Sequence, residues 1–340
     1  MSLVAAHKVR EVAATALARA GVPPEHAQTQ LELLLEAELR GVPSHGLLRL
    51  GRIVERIHNG VTDPNARGRH TWRSESFLSV DGQRGLGPVV AVAALDAVAE
   101  RVRKTGIAIA AISNSNHVGM LGWYVERMAA QGMIGVALST SEALVHPWGA
   151  RRAMIGTNPV AIAVPTGSGE PFMMDIATSI VSMGEIHDYA NRGVALPQGW
   201  ALDAEGHATV SAEAAKSGAI APFGQAKGYA LGLAFELMVA SLTGAALGRD
   251  VVGTLDSDQI CSKGDIFIVI EGQHRDLTAY LNAIRALEPA DGFNKVLIPG
   301  ERGRECKRER LQCGLPIPDQ VWQGLLALAE TSSPTSVENE

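Results

Sequence analysis

The sequence predicts an α/β fold in which helical N- and C-terminal segments pack around a strand-rich middle. Three features carry that prediction. Apolar residues recur at helical spacing through the first 60 or so positions, with Val9, Val12, Ala13, Ala16 and Leu17 on one face. From Phe77 onwards, short apolar runs of strand type alternate with helical patterns. The GxGxxG fingerprint of the common dinucleotide-binding fold is missing, because Gly82, Gly85 and Gly87 have the wrong order of spacings. The expected division is a helical unit of residues 1–70 with about 275–330, an α/β unit of 71–274, and an unstructured tail of 331–340.

In chain order, Gly21 closes the first helix and Pro23-Pro24 begins a second, which runs to about Arg40. Gly41 and Pro43 end it, and Ser44 is placed to cap a third helix reaching about Ile57. The turn residues Thr62 to Asn65 precede an expected strand over Phe77 to Val80 and a helix from about Pro88 to Thr105. Gly106 to Ile112 reads as a strand and ends in the polar loop Ser113 to Gly119. Such loops, at the C-terminal ends of strands, are where α/β proteins tend to bind ligands. Strands are expected at Met133 to Ser139, Val160 to Val164 and Phe172 to Ile176, and Ala177-Thr178-Ser179 to open a helix reaching about Arg192. Residues 193–221 read mainly as loop, and Pro222 to Tyr229 leads into an apolar helix over Leu231 to Leu247. A strand (Ile266 to Ile270), a helix (Leu277 to Leu287), a strand (Lys295 to Ile298) and a last helix (Gln320 to Ala329) complete the expected order, with no internal repeat.

At 340 residues and 46% hydrophobic, the chain can bury one large core or two modest ones. A formal net charge of -6 argues against nucleic acid as the main partner and leaves a small molecule as the natural one. No apolar run is long enough for a bilayer and no leader pattern stands at the N-terminus, so no membrane association and a cytoplasmic location are expected. Cys261, Cys306 and Cys313 are odd in number and lack CxxC spacing, which reads as free thiols.

The central stretch is Ser44-His45-Gly46-Leu47-Leu48-Arg49. On one helix His45, Arg49, Arg52 and Arg56 would fall close to one line, and Leu47, Leu50, Ile53, Val54 and Ile57 would fill a separate stripe. Arg49 would then clamp a carboxylate while His45, biased towards its neutral form by the helix terminus, handles a proton. The plainer reading is a solvated basic face with an ordinary cap. His117 is either a second acid/base group or a surface loop histidine. Asp175 is either an acceptor for backbone amides or a ribose hydroxyl, or a plain helix-start charge. The Gly224 to Tyr229 turn, with Lys227, offers backbone amides suited to a diphosphate. GxSxG, HExxH and the P-loop are missing, and Ser44 and His45, adjacent on a helix, would not face each other as nucleophile and base. The run Arg302, Arg304, Lys307, Arg308 and Arg310 reads as a solvated face or a contact for a cofactor's adenosine end.

Five motifs in register resemble the type 2 malate/L-lactate dehydrogenase family: Ser44-His45-Gly46-x-x-Arg49, Ser115-Asn116-His117-x-Gly119, Gly156-Thr157-Asn158-Pro159, Met174-Asp175-x-Ala177-Thr178-Ser179 and Phe223-Gly224-x-x-Lys227-Gly228-Tyr229. Pro299-Gly300-Glu301 and a closing helix add to the likeness. The resemblance implies an α/β fold without the common dinucleotide domain, with the helical segments around a cofactor-binding unit. It implies reduction of 2-oxo acids of malate, lactate, sulfolactate or ureidoglycolate type, or of cyclic imino acids, with NAD(H) or NADP(H), by a homodimer. It matches His45 and His117 to catalytic positions and Ser44 and Arg49 to substrate-binding positions. Ser141, Asp175, Ile176, Ala177, Gly224, Gln225, Pro299, Gly300 and Glu301 match cofactor positions. Gln225, where a second glycine is common, and Glu185, where a lysine is frequent, depart from the pattern. Two other classes compatible with the residue types are a metal-dependent hydrolase or lyase using His45, His117 and Asp175, and a non-catalytic carboxylate-binding protein.

Overall fold

The computed structural model describes residues 2–167, 169–272 and 275–330. The chain begins with β1 (Ser2–Val4), α1 (Ala6–Arg19) and α2 (Pro24–Leu39). Helix α1 buries Val9, Ala13, Ala16 and Leu17, the stripe expected from its spacing. Helix α2 is buried nearly all round because it lies between two cores. Its Leu33 and Ala37 join the core on the main sheet, while Leu31, Leu34, Leu35 and Leu39 join the core of the terminal segments.

Beyond α2 the chain departs from the single helix expected from Ser44. Two 3-10 turns, Pro43–His45 and Leu47–Arg49, precede α3 (Leu50–His58), and Ser44 caps nothing. The break has a local cause. Gly46 adopts φ -97°, ψ -144°, and its Leu47 N–H donates to the buried Glu38 carboxylate at 3.0 Å rather than to a helical carbonyl. A Cβ at Gly46 would stand 2.7 Å from the Glu38 Cδ, so glycine is required for that approach.

The hairpin β2 (Arg69–Ser74) and β3 (Phe77–Asp81) follows, then α4 (Gly87–Thr105), β4 (Ile107–Ser113), α5 (Leu121–Ala129) and β5 (Met133–Ser139). After β6 (Val160–Val164) and β7 (Phe172–Ile176) come α6 (Met183–Arg192), β8 (Ala201–Leu202), β9 (Ala208–Thr209), α7 (Ala212–Ala215) and β10 (Ala219–Ile220). The chain then continues through α8 (Ala226–Thr243), β11 (Asp265–Glu271), α9 (Thr278–Arg285), α10 (Glu301–Cys313), β12 (Leu315–Ile317) and α11 (Asp319–Glu330).

The seven-stranded sheet runs β2-β3-β4-β11-β5-β6-β7, and only the β3–β4 pair, joined through α4, is parallel. The late strand β11 inserts antiparallel between β4 and β5, which a doubly wound parallel sheet would not do. The terminal segments are tied together by β1 pairing with β12 and by a core that joins Val4, Val9 and Leu17 to Leu315, Ile317 and Leu325.

Several sequence expectations are corrected. The helix placed at Ala177 starts at Met183, with Ser182 as its cap, because Thr178 is held instead by the Thr157 carbonyl. The presumed loop 193–221 contains α7 and a small sheet ordered β10-β8-β9, whose two-residue strands leave no periodicity to read. Residues 295–298 form no strand, and the helix α10 lies in the arginine-rich run read as a solvated face. Of that run, Arg304 is buried against Glu126, and Lys307 bonds Glu36. The tail expected over 331–340 lies outside the described residues.

Candidate active site

One cavity gathers His45, Arg49 and His117, which come from the broken turn after α2 and the loop after β4. The two imidazole centroids are 5.4 Å apart. His117 is presented by a loop whose backbone is fixed from both sides. The Asn116 amide donates to the Arg84 and Gly85 carbonyls, and its oxygen accepts from Arg56 Nε at 3.1 Å, Arg56 Nη2 at 2.9 Å and Thr62 Oγ1 at 2.9 Å. Gly119, at φ +75°, presses on Leu33, where any side chain would collide. Thus α2 sets the depth of this loop.

Ser44 Oγ lies 3.0 Å from His45 Nδ1. This corrects the expectation that the two side chains could not meet, which held for an α-helix and not for a 3-10 turn. The contact fixes the ring and leaves Nε2 as the atom for a ligand. Arg49 donates from Nε to the Ser44 carbonyl at 2.8 Å and from Nη1 to the Thr254 carbonyl at 3.1 Å. Among the described residues its Nη2 has no acceptor, so the guanidinium is aimed but not satisfied.

Burial, then the Arg49 charge, lowers the His45 pKa to about 4. Burial, with Arg49 and His45 next in weight, carries His117 well below its ordinary value. Both rings are therefore neutral at neutral pH; the expected direction holds, but its cause is desolvation rather than a helix terminus. Arg49 is lowered to about 10, chiefly by burial and by neighbouring Arg52, and stays cationic.

Glu142, Thr254 and Arg56 complete the frame. Glu142 Oε1 accepts from Thr254 N at 2.8 Å, Thr254 Oγ1 at 3.0 Å and Leu255 N at 2.8 Å, which anchors the loop carrying Thr254 beside Arg49. Arg56 pins the same loop through the Asp256 and Gln259 carbonyls, both at 3.0 Å. A signal for Arg56 existed in its alignment with Arg49 and Arg52; none existed for Glu142 or Thr254, whose partners are over 100 residues away.

The remaining candidates lie elsewhere and are joined by hydrogen bonds. Ser141 Oγ accepts from Thr157 N at 2.9 Å; the Thr157 carbonyl accepts from Thr178, and the Thr178 carbonyl accepts from Phe223 N at 3.0 Å. These bonds link Ser141, the segment after β7 that carries Ala177, and the entry to the Gly224-Gln225 turn; Ile176, at the end of β7, is exposed. Gly224 and Gln225 both have positive φ, +52° and +60°, and Lys227 is exposed in the first turn of α8. The N–H groups of Gln225 and Ala226 have no backbone acceptor among the described residues, which suits an anionic diphosphate.

Gly300, behind Pro299, packs on the Met173 carbonyl of β7, and Glu301 closes the turn by accepting from Ile298 N at 2.8 Å and Arg285 Nε at 2.6 Å. Asp175 does not line the histidine cavity. Its Oδ2 accepts from Gly122 N at 2.6 Å, and burial raises its pKa to about 6. Among the described residues, no three His, Cys, Asp or Glu side chains are grouped to hold a metal ion.

Gln225 pairs φ +60° with ψ -122°, a region that glycine occupies and other residues enter only under strain. Gln225→Gly is expected to stabilise the fold by about 1 kcal/mol, net of glycine's greater entropy in the unfolded chain. Chemical denaturation checks it: a higher midpoint with an unchanged slope is expected.

Two neutral imidazoles beside a fixed guanidinium form an acid/base site for a small anion, on a fold other than the doubly wound one. Residues 4–326 match the malate/L-lactate dehydrogenase family. The malate dehydrogenase of Pyrococcus abyssi is 34% identical over 330 residues, covering 92% of this chain and 90% of its own. The L-sulfolactate dehydrogenase of Methanocaldococcus jannaschii is 34% identical over 302 residues, covering 86% and 87%. The crystal structure of a dehydrogenase from Sinorhizobium meliloti superposes with a TM-score of 0.93 at 49% identity, covering 96% of this chain and 98% of that one. The chain belongs to the malate/L-lactate dehydrogenase family and is an oxidoreductase.

Proposed function

We propose that the protein passes a hydride between NAD(H) or NADP(H) and a small 2-oxo or 2-hydroxy acid. The observation that carries this reading is the shared cavity of His45, His117 and Arg49. Arg49, held by Ser44 and Thr254, binds the carboxylate through its free Nη2 edge. His45 Nε2 gives the proton to the carbonyl oxygen on reduction and takes it from the hydroxyl on oxidation, while Ser44 keeps the ring oriented. His117, 5.4 Å from it, is the alternative proton carrier.

Ser141, Ala177, Gly224, Gln225, Lys227 and the Pro299 to Glu301 turn would hold the nicotinamide cofactor, which supplies or accepts the hydride. The Asp175 carboxylate serves that side by fixing the start of α5 through Gly122. Residues 1–70 with about 275–330 form the helical substrate unit and residues 71–274 the cofactor unit, a division supported by the joint core of the terminal segments; the substrate cavity takes His45 and Arg49 from the first and His117 and Thr254 from the second. Consumption of reduced cofactor on addition of a panel of 2-oxo acids tests the reading. Binding without turnover by every acid would overturn it.

A homodimer is part of the proposal. Helix α8 buries Gly228, Gly232, Glu236 and Val239 while leaving Leu231, Leu237 and Met238 exposed, the reverse of a surface helix. A second copy covering that face would bury them, and light scattering should give the mass of two chains. A cytoplasmic location fits three free cysteines; no helix of the described residues is long and apolar enough to cross a membrane.

A further inference from the structure

The wall of the histidine cavity carries three guanidinium groups, Arg49, Arg52 and Arg56, and no carboxylate. They are not equivalent. Arg56 is buried and fully engaged by Asn116, Asp256 and Gln259, with the Asp256 carboxylate 3.5 Å away. Arg49 is anchored to two carbonyls and lines the cavity. Arg52, in the first turn of α3 and partly exposed, has no hydrogen bond or ion pair among the described residues. Standing three residues beyond Arg49 on nearly continuous helical backbone, it projects from the same face.

The carboxylate whose charge acts on Arg49, Glu142, is already engaged by Thr254 and Leu255. A ligand with a single carboxylate satisfies Arg49 and leaves a second positive charge beside it on the cavity wall. The apolar part of the wall, with Leu33, Leu34, Ile53 and Leu86, offers that charge nothing, and among the described residues none of its polar members bonds Arg52.

We propose that Arg52 is a specificity-determining residue, which makes the site select 2-oxo and 2-hydroxy acids bearing a second anionic group, carboxylate or sulfonate, over monoanionic acids of the same length. The inference rests on the carboxylate-binding role given to Arg49 above, and refines it. A charge-assisted hydrogen bond from a guanidinium contributes enough to favour the dianion by about 10- to 100-fold in kcat/KM.

The test compares acids that differ at one end: oxaloacetate with 2-oxobutanoate, and 3-sulfopyruvate with pyruvate, in the native protein and in Arg52→Met and Arg52→Lys. The native protein is expected to favour each dianion. Arg52→Met should collapse the dianion-to-monoanion ratio, mainly through KM, and Arg52→Lys should restore part of it. A native ratio near one, or an equal loss for both acids in Arg52→Met, overturns the proposal.

Ligand-induced thermal stabilisation gives the same comparison without turnover, with malate set against 2-hydroxybutanoate. A larger shift for malate that disappears in Arg52→Met supports the selectivity even if no acid were reduced, in which case the hydride-transfer reading alone would fail. Equal shifts in the native protein count against Arg52 directly. If Arg52→Met does not fold, Arg52→Gln and the lysine variant carry the measurement.

Discussion

His45→Ala is expected to lower kcat by about 10²- to 10⁴-fold, the usual loss when a general acid is removed. The fold should survive, because His45 lies on the cavity wall and in neither apolar core. His117→Ala is the paired measurement: a near-normal kcat for His45→Ala with a large loss for His117→Ala would transfer the proton role to His117.

The pH dependence gives a second readout. With the His45 pKa at about 4 in the free site, neutral imidazole is already the base needed for oxidation. Oxidative kcat/KM should therefore be flat above about pH 5 and fall as pH drops through about 4. A carboxylate on Arg49 offsets one of the two causes of the depression, so the limb in kcat should lie at higher pH than that in kcat/KM. Stability follows the same group. Its folded pKa lies below the unfolded value of about 6.5, so the unfolded chain binds the proton first and stability is lost as pH falls from about 6.5 towards 4. His45→Asn should flatten that slope. Asp175, raised to about 6, acts with the opposite sign and loses its contribution as pH rises through that value. The variant's difference from the native curve is thus the quantity to compare.

Arg49→Lys should raise KM for the carboxylate by about 10- to 100-fold with kcat changed far less, since an ammonium is one point charge on a flexible stem. It cannot reach the Ser44 and Thr254 carbonyls and still present two parallel donors to a ligand. Arg49→Met removes the charge and should cost kcat/KM about 10²- to 10³-fold, within the range for truncating one member of a buried charge pair. The same variant should shift the His45 limb upwards, because the guanidinium is one of the two depressing causes. A fall in kcat at unchanged KM in Arg49→Lys would mean that Arg49 acts in the transition state and not uniformly.

Much of this protein is written locally. The apolar spacing in α1, the Pro24 start of α2, the strand runs of β4 and β5 and the missing GxGxxG are properties of short windows, and the structure follows them closely. The pairing of His45 with Arg49 and the motif carrying His117 were likewise legible, because each chemistry needs its residue types within a few positions. What windows do not contain is a partner far away. Glu38, nine residues before Leu47, replaces a helical acceptor and breaks the expected third helix at Gly46. Strand β11 enters the middle of the sheet from beyond residue 264 because backbone donors and acceptors of β4 and β5 both needed pairing.

Glu142, Thr254 and Arg56 frame the site through contacts spanning more than 100 residues; helical spacing aligned Arg56 with Arg49, but no spacing announces Glu142 or Thr254. The desolvation that neutralises both imidazoles is a property of the cavity that the folded chain builds around them. The sequence by itself determined which side chains could do the chemistry. Only the tertiary structure decided which of them share a cavity, which arginines are engaged and which one is free, because burial and hydrogen-bond satisfaction are settled by the whole chain at once.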